Sequence, residues 1–405
     1  MDNRYYFGNC TSFNLNYNTA IPNLMSMIRK AEYLFIAKGK AILPNKMTVS
    51  DIDNLPLDHM NQFYKTYWKM EKHGKKVKRR LISMVDSAEL SALHKSILNT
   101  ITLPSIDRVH SYKTGYSSNT CASNHIDKYA IFAIDISNFF PSITREIVKY
   151  LYKTGLEEFM THLEGQLSHV TISNYEKEIS IIKGKIDIAS SMLAVACTIY
   201  DENIDPNNAI LPVGTIVAPN ISNFVLTPVD RDIMNLSNEW GYRYDRYSDN
   251  IFISSDNEHI DRSFQEKVIE IITNFVICEK RPFKVNTEKT KYMPYWKHQR
   301  ILGIVVNKKA NISKRREGWF RSAMTHLYYD AYVLLKDIES GNIINANRKL
   351  YNIEKRARVV FGNLSYIKSV NKEKYDKYYT DYIIIRLVIF KLKADSSLMY
   401  NMGGK

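Results

Sequence analysis

Paired cysteines are missing from this chain. Cys10, Cys121, Cys197 and Cys278 stand far apart, with no C-x-x-C pair and no zinc-ligand spacing, which leaves reduced, mostly buried thiols as the expectation. Glycine (15) and proline (11) are sparse for 405 residues, no repeat period recurs and no long linker is visible, so the units of the chain are expected to pack against one another. A membrane-length apolar run is also lacking: the most hydrophobic stretch, Tyr382 to Phe390, is short and interrupted by Arg386. The start, Met1-Asp2-Asn3-Arg4, has no apolar signal core. A soluble, cytoplasmic protein with no membrane partner is expected.

What the chain does hold is 45% hydrophobic residues, enough for a substantial core, and an excess of cations. Lys and Arg total 56 against 42 Asp and Glu, a net charge of +14, which suits an anionic partner such as nucleic acid without identifying one. The basic run KHGKKVKRR (Lys72 to Arg80) reads as a hairpin, with a helix expected over Leu81 to Leu98. Tyr129 to Ile134 reads as a buried strand ending at Asp135, and Thr144 to Tyr152 as a helix. Further helices are expected at Glu176 to Tyr200 and Ser222 to Ile233, then two strands, Tyr242 to Tyr247 and Ile251 to Ser254, around a polar turn. Beyond Gly303 the spacing is helical, at Trp319 to Asp337, Asn347 to Val360 and Lys374 to Lys393.

A strand that ends on an acid and a turn that carries another are the parts of a cation site. Phosphoryl transfer from a nucleotide uses two divalent cations about 4 Å apart, and hard cations bind carboxylate oxygens. Asp135 and Asp249 would form such a site if a sheet brought their ends together. Taken singly, each Asp has the blander reading of a turn or capping residue.

The surroundings of the two acids carry more. Asp135-Ile136-Ser137-Asn138-Phe139-Phe140-Pro141-Ser142-Ile143 resembles the first carboxylate motif of prokaryotic reverse transcriptases, and Arg246-Tyr247-Ser248-Asp249-Asn250 resembles their tyrosine-x-Asp-Asp turn with one change. Lys78-Arg79-Arg80-Leu81-Ile82 is similar to the family's basic fingers segment, and His110 to His125 to the segment that in retron enzymes ends Asn-Ala-x-x-His, with Cys121 in place of the Asn. Leu211-Pro212-Val213-Gly214, with Pro219, Ser222, Asn223 and Asp230 behind it, resembles the Leu-Pro-Gln-Gly motif and its helix. Asn286-Thr287-Glu288-Lys289-Thr290 and Leu302-Gly303-Ile304-Val305-Val306-Asn307 are similar to the last palm motifs. The resemblance spans about Lys75 to Asn311, with the motifs in the family's order.

That resemblance implies an α+β right-hand polymerase: an N-terminal helical extension at 1–74, fingers at 75–130, a palm with inserted helices at 131–300 and a helical thumb at 301–405. It implies an RNA-directed DNA polymerase using two ions, Mg²⁺ or Mn²⁺, held by Asp135, Asp249 and the carbonyl of Ile136. Asn250 and Lys289 complete the implied catalytic set, with Lys289 as proton donor to pyrophosphate. Lys78, Arg80, Phe140, Val213 and Gly214 are the implied nucleotide contacts, Phe140 as the ring that excludes a 2′-hydroxyl. Tyr247, Gly303, Lys308, Lys309, Arg315 and Arg316 are the implied nucleic-acid contacts. The four cations among these equally suit a solvated helix start.

Besides Cys121, three further positions depart from the pattern. Asn250 replaces the second Asp, Val213 a Gln and Leu302 a Thr, which points away from an ordinary retron enzyme and towards bacterial defence-associated and abortive-infection reverse transcriptases. The implied partners are deoxynucleoside triphosphates, an RNA template or non-coding RNA and a DNA product, with a homo-oligomer or second defence protein also compatible. Two alternatives stand beside this reading: a template-independent or protein-primed polymerase, and an inactive scaffold that binds RNA or protein. The 28 tyrosines and His125 read first as packing and structural residues.

Overall fold

The computed structural model describes residues 17–38, 47–73, 76–101, 106–166, 169–256, 258–341 and 345–402. In chain order these form α1 (Tyr17–Lys38), α2 (Val49–Asp53), β1 (Tyr64–His73), β2 (Lys76–Val85), α3 (Ala88–Thr100), α4 (Ser118–Ser123) and β3 (Ala130–Asp135). There follow α5 (Arg145–Gln166), α6 (His169–Ala196), α7 (Ala218–Val225), α8 (Thr227–Glu239), β4 (Arg243–Tyr247), β5 (Asn250–Ser255) and α9 (Arg262–Asn274). The chain closes with β6 (Lys291–Pro294), β7 (Arg300–Ile301), β8 (Ile304–Val305), α10 (Lys314–Glu339), α11 (Ala346–Val370) and α12 (Lys372–Met402). The fold mixes helix and sheet, as expected for an α+β protein.

Two compact units result, one drawing on Met1–Gly115, Phe132–Ser255 and Ile260–Tyr292, the other on Tyr116–Ile131, Asp256–His259 and Met293–Lys405. The first contains the long antiparallel hairpin β1–β2, in register from Tyr64↔Val85 to His73↔Lys76. A four-stranded sheet of order β4-β5-β3-β6 places β3 in its interior, so Ile131, Phe132 and Ile134 are all buried. An interior strand buried on both faces needs a continuous apolar run rather than alternation, which is what Ala130 to Ile134 supplies. α8 packs against β4, and α5 against α6.

Two helix expectations need correction. Leu81 to Val85 is strand, because Leu81 pairs across to Trp68 and Val85 to Tyr64, and α3 starts only after Ser87, whose side chain accepts from Leu90 N. The expected helix at Ser222 to Ile233 is two helices that meet at Leu226. Pro228 lacks an N–H and its ring crowds the carbonyl four residues back, so one continuous helix cannot pass through it.

In the second unit α10, α11 and α12 pack pairwise into a three-helix bundle. Phe320, Met324, Leu327, Ala331, Leu334 and Ile338 recur at helical spacing and are buried along α10, whose start is capped by Ser313 accepting from Arg316 N. Among the described residues, no helix is long and apolar enough to cross a membrane.

Candidate active site

β3 carries Asp135 to its C-terminal end, where the residue is only 6% exposed. The backbone on either side of it is held by two separate segments. Ile136 N donates to Asp249 O (3.0 Å) on one side, while Asn286 N donates to Asp135 O (2.8 Å) and Ser137 N to Lys284 O (2.7 Å) on the other. The β4–β5 turn and the 284–286 segment therefore meet at the end of β3.

Asp249 stands in a two-residue turn closed by the pair Tyr247↔Asn250. Ser248, first of the two, has φ of 57°, the left-handed region that a serine adopts only when its surroundings impose it. Those surroundings are specific. Ser248 N donates to Ser111 Oγ (2.9 Å), and Arg246 Nη1 donates to Ser248 O (2.9 Å). Ser111 Oγ donates in turn to Asn223 Oδ1 (3.0 Å), and Asn223 Nδ2 returns a bond to Ser111 O (2.9 Å).

Arg246 is fully buried and anchors this network. Its Nε and Nη2 reach the two oxygens of Asp230 at 2.6 and 2.7 Å, and Tyr244 OH donates to the same carboxylate. Burial alone would lower the Arg246 pKa, but the Asp230 charge and hydrogen bonds hold it above its ordinary value. A buried charge of this kind persists only with its partner, so α8, β4 and the Ser248 turn are tied into one rigid block.

Three further groups converge on the two acids. Asn250 Nδ2 donates to Asp249 Oδ1 (2.8 Å). Lys289, presented by a turn in which Thr290 N donates to Asn286 O (2.9 Å), places its ammonium 3.1 and 2.9 Å from the two oxygens of Asp135. Burial pushes the Asp249 carboxyl above the usual carboxylate range and the Asp135 charge pushes it further, while the Lys289 and Arg80 cations pull it down. The two carboxylates thus feel each other, and Arg80 on β2 lies within electrostatic reach of them.

Val213 and Gly214 meet β2. Ser83 N donates to Val213 O (2.8 Å), and a Cβ on Gly214, at φ +116°, would stand 2.8 Å from Ser83 O. Only glycine permits that approach. Phe139 is buried against Phe283 (centroids 5.6 Å), whereas Phe140, its ring edge-on to that of Phe139, stays half-buried. Tyr247 is half-buried at the closing pair of the turn. Lys78 pairs through its backbone with Glu71, and its side chain lies outside the described residues.

The remaining expected residues belong to the second unit. Leu302 and Gly303, both at positive φ (49° and 85°), form the tight turn between β7 and β8. Lys308, Lys309, Arg315 and Arg316 are exposed; Lys309 pairs with Glu373, and the Arg316 guanidinium lies 3.9 Å over the Tyr366 ring. His125 and Cys121 are fully buried.

Sequence reading assigned no role to Ser111, Asn223, Asp230 or Arg246. Part of the signal was present in β4: Tyr244 and Arg246, two apart on the strand, share one face, and a buried charge demands a buried partner. What the sequence could not supply was the identity of that partner, since Asp230 comes from the preceding helix.

Among the described residues no group of three His, Cys, Asp or Glu side chains forms a metal cluster. The donor set at Asp135 is two carboxylates, the Asn250 amide oxygen and nearby backbone carbonyls. It is all oxygen, and burial and the neighbouring Asp135 charge both raise the cost of ionising Asp249, so the set fits a hard divalent cation.

No protein-family profile matches the chain. Retron Mx65 reverse transcriptase of Myxococcus xanthus is 26% identical over 239 residues, 58% of this chain and 50% of that protein. Retron Mx162 reverse transcriptase of the same organism is 27% identical over 227 residues, 54% of this chain and 43% of that protein. The chain spans about half the length of the curated relatives it matches. Among solved structures, telomerase from Candida albicans, in complex with a fragment of telomeric RNA, aligns with a TM-score of 0.34 at 14% identity, covering 82% of this chain and 61% of its own. Apo telomerase from Candida tropicalis aligns with a TM-score of 0.37 at 10% identity, covering 91% and 67%.

Proposed function

We propose that this homologue of the retron reverse transcriptases is an RNA-directed DNA polymerase that joins deoxynucleotides at the Asp135–Asp249 site. The observation that carries the reading is the joining of β3 to the Ser248-Asp249 turn through Ile136 N and Asp249 O, which sets two partly buried carboxylates against each other with Lys289 and Arg80 as counter-charges. Two like charges held together at the end of a strand are costly in isolation, so the arrangement is suited to a cationic ligand.

Two ions of Mg²⁺ or Mn²⁺, held by Asp135, Asp249, the carbonyl of Ile136 and the Asn250 oxygen, would supply charge neutralisation of the triphosphate and activation of the primer hydroxyl. Arg80, projecting from β2, draws the triphosphate towards the acids. Gly214 lets the hairpin lie close enough for that reach. Phe140, half-buried and five residues after Asp135, would be the ring that excludes a 2′-hydroxyl and so selects deoxynucleotides. Lys289 holds a proton on the ammonium that contacts Asp135, available to the departing pyrophosphate once that carboxylate is engaged elsewhere.

In this reading the β1–β2 hairpin serves as fingers, the four-stranded sheet as palm and α10 to α12 as thumb, acting in the cytoplasm with a non-coding RNA. The departures at Val213, Asn250 and Leu302 support a role in bacterial anti-phage defence rather than that of an ordinary retron enzyme. The test is primer extension by the purified protein on an RNA template with Mg²⁺ or Mn²⁺. Asp135→Asn and Asp249→Asn are expected to remove incorporation while leaving the unfolding temperature within a few degrees of wild type. Extension at wild-type rate by either variant would refute the site, and products of unchanged sequence without RNA would favour untemplated synthesis.

A further inference from the structure

The second unit presents an aromatic cluster that the polymerase reading does not use. Tyr129, His259, Trp296 and Tyr295 form a closed ring of contacts, with centroids 5.2 Å apart for Tyr129–His259, 5.6 Å for His259–Trp296, 5.1 Å for Tyr295–Trp296 and 4.9 Å for Tyr129–Tyr295. Aromatic clusters of this size are usually core, but here Tyr295 is 56% and Trp296 58% exposed.

The loop that carries the two rings is rigidly built. Tyr295 N donates to Tyr129 O (2.7 Å), and Asn307 Nδ2 donates to the carbonyls of Tyr295 (3.2 Å) and Lys297 (2.8 Å). Gln299, fully buried, sends Nε2 to Lys128 O (2.9 Å) and Met293 O (3.0 Å), while its backbone N donates to Asn307 Oδ1 (3.0 Å). Two side-chain amides thus immobilise the backbone beneath rings that face water. Holding two large apolar faces fixed in solvent gains nothing for folding, but it removes the ordering cost from a binding event.

The charge around the rings selects the ligand. Lys297 and His298 on the loop and Arg300 at the start of β7 are exposed; of the two acids beside His259, Asp256 is paired with Lys128 and Glu258 is exposed, so cations outnumber acids around the rings. Flat aromatic faces beside cations that meet phosphates are the recognition chemistry of unpaired bases. Within a duplex the base faces are already stacked on one another and closed to such rings, except at its ends.

We propose that Tyr295 and Trp296, backed by Tyr129 and His259, form a stacking platform for single-stranded nucleic acid, with Lys297 and Arg300 meeting its backbone. The site belongs to a different unit from Asp135 and Asp249, and its occupation does not depend on polymerisation. It holds an unpaired stretch of template or product, or of an associated RNA.

The experiment titrates a fluorescein-labelled single-stranded RNA, a DNA of the same sequence and the corresponding DNA duplex into wild-type protein, a Tyr295→Ala, Trp296→Ala double variant and Trp296→Phe, reading anisotropy at fixed salt. The double variant is expected to bind the single strands about tenfold or more weakly, with duplex affinity unchanged, because each base–aromatic stack contributes on the order of 1–3 kcal/mol. Loss on RNA alone or on DNA alone supports the platform and identifies the strand it takes. Trp296→Phe keeps a flat ring and retains binding, but loses the part of the tryptophan fluorescence quenching that the wild type shows on addition of the strand. That second readout serves even where the double variant fails to fold. Unchanged single-strand affinity in the double variant, or undiminished quenching in Trp296→Phe, overturns the proposal and leaves the rings to a protein partner.

Discussion

Asn250 is the residue at which this chain departs most consequentially from the pattern it resembles. Its Nδ2 donates to Asp249 Oδ1, so the side chain does face the acid pair, and an Asp there would place a third carboxylate beside two that already repel. Without a cation that substitution removes a hydrogen bond and adds repulsion. With one, it adds a charged ligand. Asn250→Asp is therefore expected to unfold at lower temperature than wild type in EDTA, to recover with added Mg²⁺, and to reach half-maximal extension at lower Mg²⁺. An unfolding temperature that is the same in EDTA and in Mg²⁺ for both proteins would show that the position does not sense a metal.

At the scale of elements, the first unit depends on how closely β2 approaches the Val213–Gly214 loop. Ser83 N donates to Val213 O, and the missing Cβ of Gly214 is what lets Ser83 O come near. Gly214→Ala has two penalties, a φ of +116° that L-residues rarely adopt and a contact of 2.8 Å with backbone rather than with a flexible side chain. The expected loss is about 1 kcal/mol or more of stability, read as a lowered unfolding temperature. Because the hairpin carries Arg80, KM for the deoxynucleotide is expected to rise more than kcat falls. A Gly214→Ala protein equal to wild type in both unfolding temperature and KM would mean that the hairpin does not dock there. The Arg246–Asp230 pair belongs to the same scale, since it ties the helix before β4 to the turn after it and holds Ser248 in a conformation its own preferences disfavour.

At the scale of the whole molecule, the proposed nucleic-acid binding by a chain of charge +14 is expected to weaken with salt, with a slope set by the number of phosphates it neutralises. Neutralising one phosphate contributes about −0.9 to the slope of log K against log salt for duplex DNA, so each contact is countable. Lys309 already pairs with Glu373, and Arg316 lies over Tyr366 and donates to Asn363 Oδ1 (3.0 Å). Lys308→Ala and Arg315→Ala are therefore each expected to reduce the slope by about one, and Lys309→Ala and Arg316→Ala by less. Measuring duplex binding across a range of KCl concentrations checks this, and a larger change for Lys309 and Arg316 would reverse the assignment.

Local pattern alone determined the strand that ends at Asp135, the hairpin around Ser248-Asp249 and the three long C-terminal helices. In each of these the hydrophobic period and the turn residues agree with the final packing. Pattern failed where a partner distant in sequence decided the outcome. Leu81 to Val85 has apolar residues that suit a helix, but pairing with Tyr64 to Trp68 makes it strand. The single helix read over Ser222 to Ile233 missed the break that Pro228 imposes. The nearness of Asp135 to Asp249, the buried support of Asp230 for Arg246, the hold of Lys289 on both oxygens of Asp135 and the exposure of Tyr295 and Trp296 belong to the tertiary structure. Each is a relation between segments, and a buried charge or an uncovered ring acquires its meaning only from what the rest of the chain brings beside it.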